Sequence, residues 1–201
     1  MPNDISVLTA ATVYPCTLNE AKMQVRVEVA EHFEDDYLNS LIQVATSLVE
    51  IQSDRTFVNA AKRLTLPAFL GADRPIYIPG PPLVSIQQVL YIADDASPDG
   101  TQTAFTDYQL SLNTSQIWPT EGFNWPSTRI RPDAVQIDYT SGYGATAAGV
   151  PKIAKQAILM LIAQWYLQRE DISDRQSYTV PHAVDCLCDQ LRPGDEFAEV
   201  R

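Results

Sequence analysis

The stretch over 133–157, DAVQIDYTSGYGATAAGVPKIAKQA, carries an alternating apolar run into three glycines and then into a helical pattern, the local order of a phosphate-binding loop. A loop that grips a nucleotide triphosphate needs its closing glycine followed by Lys and then Ser or Thr, so that backbone amides and an ammonium meet the phosphates. Gly142, Gly144 and Gly149 are instead followed by Tyr143, Ala145 and Val150. The dinucleotide fingerprint takes Gly142 and Gly144 as its first two glycines but finds Ala147 in the third place, with no alternating series of strands and helices around it. The glycines therefore read as the freedom that lets the chain leave a strand and turn into a helix. His32, Glu34 and Asp35 in HFEDD are residue types for metal binding or acid–base work, but no second histidine motif supports them. They read as an acidic helix start beside a solvated histidine. The other histidine, His182, has no recognisable nucleophile pattern near it, and no serine lies in a G-x-S-x-G elbow. No catalytic, cofactor-binding or metal-binding residue is assigned, and the expectation is a protein that is not an enzyme and takes no cofactor.

Composition narrows the field further. The chain has 201 residues, 45% hydrophobic, enough for one substantial core or a core plus a small subdomain. Fourteen Lys and Arg against 25 Asp and Glu give a formal net charge of −11. A groove that holds nucleic acid needs clustered cations to displace counterions from phosphates, so tight binding of DNA or RNA is not expected. The start, MPNDISVLTAATVYPC, lacks the charged and apolar pattern of a signal peptide, and the longest apolar run, over 157–163, is too short for a bilayer. No membrane segment is expected. Cys16, Cys186 and Cys188 are an odd number without a C-x-x-C pair, which fits neither a disulfide scaffold nor a cysteine zinc site.

The elements follow from periodicity. TLNE offers Thr17 as a helix cap with Glu20 three residues on, a capping box that starts a short helix at Leu18 and ends it near 27–29. From Glu34, the positions Tyr37, Leu38, Leu41, Ile42, Ala45, Leu48 and Val49 fall three and four apart and predict a second helix about five turns long. Between Arg63 and Tyr139 the period changes to short β-branched and aromatic runs, RLTLPAF, PIYIPGPPLVSIQQVLYI, FTDYQLSL, SQIWP and AVQIDYT, predicting five or six strands. Pro79, Pro81 and Pro82 place a bend or an edge inside the second run. Trp118, Phe123 and Trp125 form either a contact surface or a cover for the sheet edge. Pro151 opens a third helix whose apolar positions, including Ile158, Leu161, Trp165 and Tyr166, run nearly all round it. Such a helix lies inside the subunit core, or shares one face with a neighbouring subunit. Val180 and Pro181 start a fourth helix that ends at Pro193 and Gly194, and the last residues, DEFAEVR, read as a flexible tail with Phe197 and Val200 as anchors on a partner.

The ordered set TLNEAKMQVRV, EDDYLNSLIQVATSLVE, RLTLPAF, PGPPLVSIQQVLYI, WPSTRIRPDAVQIDYTSGYG, VPKIAKQAILMLIAQWYLQRE and VPHAVDCLCDQLRP resembles the head-tail connector proteins of tailed bacteriophages, also called adaptor or head completion proteins. The resemblance runs from about Thr17 to Pro193. It implies an α+β fold: a four-helix connector core over 17–55 and 150–192, a small antiparallel β subdomain inserted over 56–149, an N-terminal extension over 1–16 and a C-terminal tail over 193–201. It also implies a virion protein made in the host bacterial cytoplasm, forming a ring of copies of itself, dodecameric in the virion, below the portal protein. The ring joins the DNA-filled capsid to the tail and extends the channel through which genomic DNA passes without specific binding. Carried to this chain, the portal-docking segment is Arg192 to Arg201, including Phe197 and Val200, and the subunit contact draws on Ile158, Leu161, Trp165 and Tyr166. A tail completion or stopper protein, which would be a ring partner in this reading, is an alternative identity, as is a cytoplasmic enzyme of unknown type. The acidic balance adds one expectation: an acidic lumen repels passing phosphates, so that the duplex slides without sticking.

Overall fold

The computed structural model describes residues 4–69, 71, 73–95, 100–168 and 182–193. The chain folds as α+β, with four α-helices and two antiparallel sheets among the described residues. Its described residues divide into two compact units, a helical one within 11–58 and 143–193 and a sheet one within 4–10 and 59–142.

The helical unit opens with α1, Leu18–Val25. The Thr17 side chain accepts from the Glu20 amide and the Glu20 carboxylate accepts from the Thr17 amide, so the capping box of the sequence forms. The helix stops at Arg26, which takes the left-handed conformation at φ 62° and lets its amide close the last turn. The next helix, α2, spans Asp35–Ser53 with Asp35 and Asp36 at its positive end. Leu38, Leu41, Ile42, Ala45 and Val49 are its buried stripe, as their spacing dictates. Helices α3, Lys152–Leu167, and α4, His182–Leu191, complete the unit, and α3 packs against the other three. Their core gathers Leu38, Ile42, Val49, Phe57, Ala154, Ile158, Leu161, Ile162, Val184 and Cys188.

In the sheet unit the strands are β1 Asp4–Thr9, β2 Ala60–Leu66, β3 Ile76–Tyr77, β4 Leu83–Tyr91, β5 Thr103–Ala104, β6 Tyr108–Ser111, β7 Gln116–Pro119 and β8 Val135–Ser141. One sheet has the order β1-β2-β8-β4-β5 and the other β3-β7-β6, every pairing antiparallel. Alternation decides the faces: Val135, Ile137 and Tyr139 of β8 point into the core, while Gln136, Asp138 and Thr140 face the other way. Leu64, Leu66, Val89, Ile137 and Tyr139 of the larger sheet share that core with Ile76 and Ile117 of the smaller one. The prolines after β3 form the expected bend, and the Pro82 carbonyl accepts from the Gly142 amide at 2.9 Å.

Two features were not in the sequence reading. The segment over 1–16, read as an extension, splits: Asp4–Thr9 is an edge strand paired to β2, while Cys16 belongs to the helical core. The alternation of β1 is confined to Ile5, Ser6 and Val7, too short a run to announce a strand, and all six residues are exposed. The two-residue β5 is too short to carry any period.

Candidate functional site

The glycine loop is shaped by backbone crowding. Gly142 adopts φ +141°, and a Cβ there would lie 2.5 Å from the Asn59 amide nitrogen. Within the helical unit, a Cβ on Gly149 would lie 2.6 Å from the Tyr143 carbonyl oxygen. Both positions require glycine for close approach of one backbone to another, which is the structural reading of the loop.

The HFEDD cluster is more than an acidic helix start. The His32 ring is exposed and its Nδ1 lies 2.8 Å from Asp35 Oδ2, but the other carboxylate oxygen pairs with the Lys22 ammonium at 2.5 Å. Lys22 is 1% exposed and donates to the Val29 carbonyl at 3.2 Å and to the Glu31 carbonyl. Hydrogen bonding from Lys22 first, then from His32, holds the Asp35 carboxyl below its ordinary value. One buried cation thus ties the end of α1, the loop after it and the start of α2 together. That loop presents Phe33, 92% exposed.

At the far end of α2, two arginines cap helices reciprocally. Arg55 Nε donates to the Leu191 carbonyl of α4 at 2.6 Å, and Arg192 Nε donates to the Gln52 carbonyl of α2 at 2.8 Å. A guanidinium at a helix C-terminus satisfies a carbonyl that has no helical partner and meets the negative end of the dipole. Arg192, expected to open the docking tail, is therefore tied to the helical core. Phe197, Val200 and Arg201 lie outside the described residues.

The third-helix residues separate into two kinds. Ile158 and Leu161 are fully buried inside the subunit's own core, so neither presents a side chain to a second copy. Trp165 and Tyr166 are partly buried against the same core. The Trp165 carbonyl accepts from the Tyr37 hydroxyl at 3.5 Å, and the Tyr166 hydroxyl bonds the Glu34 carboxylate. The exposed apolar side chains of the unit include Phe33 in the loop before α2, Val44 and Ile51 on α2, and Leu167 at the end of α3. Val44 and Ile51 stand seven residues apart on the outer side of α2, a signal the sequence carried but which the stronger inner stripe masked.

Of the three aromatic residues left open, Trp125 is buried, stacks on Phe69 with centroids 4.8 Å apart and donates its indole N–H to the Arg74 carbonyl at 2.7 Å. It closes the sheet core, whereas Trp118 and Phe123 stay exposed. On the opposite face of the larger sheet, Asp138 accepts from Arg63 Nε at 2.6 Å, Arg63 Nη2 at 2.8 Å and Gln88 Nε2 at 2.7 Å. The Arg63 hydrogen bonds, with a smaller contribution from Gln88, hold that carboxyl below its ordinary value. An open groove of about 580 Å³ beside β1 is lined by Asp4, Thr65, Pro67, Ile130 and Arg131. The thiols are unreactive where buried: burial pushes Cys16 up to about 12 and raises Cys188. The exposed Cys186 Sγ contacts His182 Nε2 at 3.7 Å one turn away, a pairing that sequence reading missed at its i, i+4 spacing. Among the described residues no group of three or more His, Cys, Asp or Glu could hold a metal ion, and no helix is long and apolar enough to cross a membrane.

No protein-family model and no curated protein matches the chain. Solved structures do. A chain in the neck of an empty gene transfer agent particle, computed with C6 symmetry, superposes with a TM-score of 0.77 at 22% identity, over 94% of this chain and 95% of that one. A chain in the virion of the native gene transfer agent particle matches with a TM-score of 0.74, and one in the native neck computed with C12 symmetry with 0.69. Each of these two is also 22% identical, and the match covers 94% of both chains. The fold is thus shared over nearly the whole length of each.

Proposed function

We propose that this protein is a structural component of the neck of a phage-like particle, a ring-forming head-tail connector that joins the DNA-filled capsid to the tail. The observation that carries the reading is the near-complete coverage in both directions, 94% and 95%, by a chain from a particle neck. A fold shared in both its helical and its sheet unit is a stronger basis than a common helical bundle, though fold by itself does not fix function. The ordered sequence segments from Thr17 to Pro193 lead independently to the same place. The necks that hold similar chains were computed with C6 and C12 symmetry, which supports a ring of copies, twelve in this reading.

In this reading the protein performs no catalysis. It is a gasket whose copies contact one another, the portal above and a stopper or tail completion protein below. The segment from Arg192 onward, with Phe197, Val200 and Arg201, reaches the portal, and its root is fixed by the Arg192 clamp on Gln52. The α3 contribution to the subunit contact narrows to the partly buried Trp165 and Tyr166, because Ile158 and Leu161 are already spent inside the subunit.

Co-expression with the portal protein of the same particle, followed by electron microscopy of the purified complex, tests this. A second ring stacked on the portal is the expected result. A chain that assembles only on the tail side, away from the portal, would instead identify a stopper, and absence from the necks of mature particles would end the reading altogether.

A further inference from the structure

We propose that copies of this chain join edge to edge through their larger sheets, β1 of one copy pairing with the open stretch of β4 in the next. The inference rests on the ring reading above and names its contact. Three observations lead to it.

The first is polarity. A closed ring needs a head-to-tail contact between two different patches of the same chain. The larger sheet ends in β1 on one side, while on the other side β5 and Phe105 reach only Val89, Leu90 and Tyr91 of β4. Residues 83–88 of β4 thus have no strand beyond them among the described residues. Along the order β1-β2-β8-β4 every step is antiparallel, so β1 and β4 run in opposite directions. Laid beside the β4 of another copy, β1 makes one more antiparallel step, along a stretch of β4 whose register shifts between Leu83 and Ser85 and between Ile86 and Gln88.

The second is the apolar face. Ile5 pairs with Leu64, which pairs with Ile137, which pairs with Val89. The last three are at most 1% exposed, yet Ile5 at the end of the same row is 46% exposed; Val7, whose row passes through Lys62 before reaching buried Tyr139, is 59% exposed. The apolar layer runs on past its cover. In the continued sheet these two side chains stand on the same face as Ile86 and Val89 of the neighbour.

The third is charge. In a chain of net charge −11, copies repel unless they meet through neutral strips. Residues 83–89, LVSIQQV, carry no charge, and β1, DISVLT, carries only Asp4. Neither strip holds the lysine or proline that commonly guards an exposed strand against pairing; the guarding feature present is the pair of register shifts in β4, between Leu83 and Ser85 and between Ile86 and Gln88.

The test uses the full chain, alone at high concentration and with its portal. In a Cys186→Ser background, Ser6→Cys combined with Gln87→Cys places thiols on one face of the two edges, because Ser6 pairs with Arg63 and Gln87 bonds Thr140. A short bis-maleimide should give a ladder of covalent oligomers from the double variant and none from either single variant. Independently, Ile5→Lys with Val7→Lys should melt with the wild type yet form rings about tenfold less readily. If the wild type forms rings while the lysine variant assembles equally well and no ladder appears, the edge contact is overturned and the ring reading stands. Self-linking of Ser6→Cys alone would show β1 against β1 and would also overturn it. If the wild type forms no ring under either condition, the ring reading itself falls, and this contact with it.

Discussion

Lys22 is the least expected side chain in the helical unit, a cation 1% exposed whose ammonium ends on two carbonyls and one carboxylate. Lys22→Met keeps the apolar stem but leaves the Val29 and Glu31 carbonyls without their donor. The expected cost is about 1–3 kcal/mol in urea denaturation, the range for buried groups stripped of a partner. Asp138 gives the corresponding test in the sheet unit. Its folded carboxyl titrates below its unfolded value because Arg63 and Gln88 hydrogen-bond the ionised form. The stabilisation is therefore complete above about pH 4 and is lost as pH falls through the lower folded value. Asp138→Asn should cost about 1.5–3 kcal/mol at neutral pH, and denaturation curves of variant and wild type should converge as the solution is acidified. Neither site was legible in the sequence. Lys22 answers to carbonyls seven and nine residues away, which have no sequence signature, and the partners of Asp138 meet it only through strand register.

At the scale of elements, the longest periodic signals were the most readable. The capping box at Thr17, the α2 stripe and the strands β2, β4 and β8 all form where pattern and turn chemistry place them. The apolar circumference of α3 left two readings open, and packing on three helices resolves it in favour of the subunit core for Ile158 and Leu161. Leu161→Ala should cost about 2–5 kcal/mol. Leu161→Asp should abolish the cooperative thermal transition followed by circular dichroism, and folded monomers of that variant would return the residue to an interface. Helix α1 ends on a strained residue: Arg26 sits at φ 62°, where an L side chain costs about 1–2 kcal/mol relative to its right-handed conformation. Arg26→Gly should raise the melting temperature if the side chain serves only as a helix stop. The strands β1 and β5 stayed unread because the alternation of one is confined to Ile5, Ser6 and Val7 and the other is two residues long.

For the whole molecule, the charge of −11 bears on how DNA would move past a ring of such subunits. If such a ring lines a DNA channel as proposed, lysine replacements at its acidic channel-facing positions should slow DNA release and make retention depend steeply on salt. Unchanged release at low salt would remove electrostatic repulsion from the mechanism. Composition made this visible from the start. The expected helical core, over 17–55 and 150–192 around an inserted β subdomain, compares with a helical unit within residues 11–58 and 143–193, interrupted by the strands between them. That interruption imposes an order of events during synthesis. Val184, Cys188 and Leu191 of α4 fill the helical core, and they leave the ribosome after everything they pack against. A nascent or prematurely terminated polypeptide lacking them has an unfinished hydrophobic interior, a mark that chaperones and proteases recognise. Translation thus supplies its own inspection step, at which a truncated chain is left with an open core.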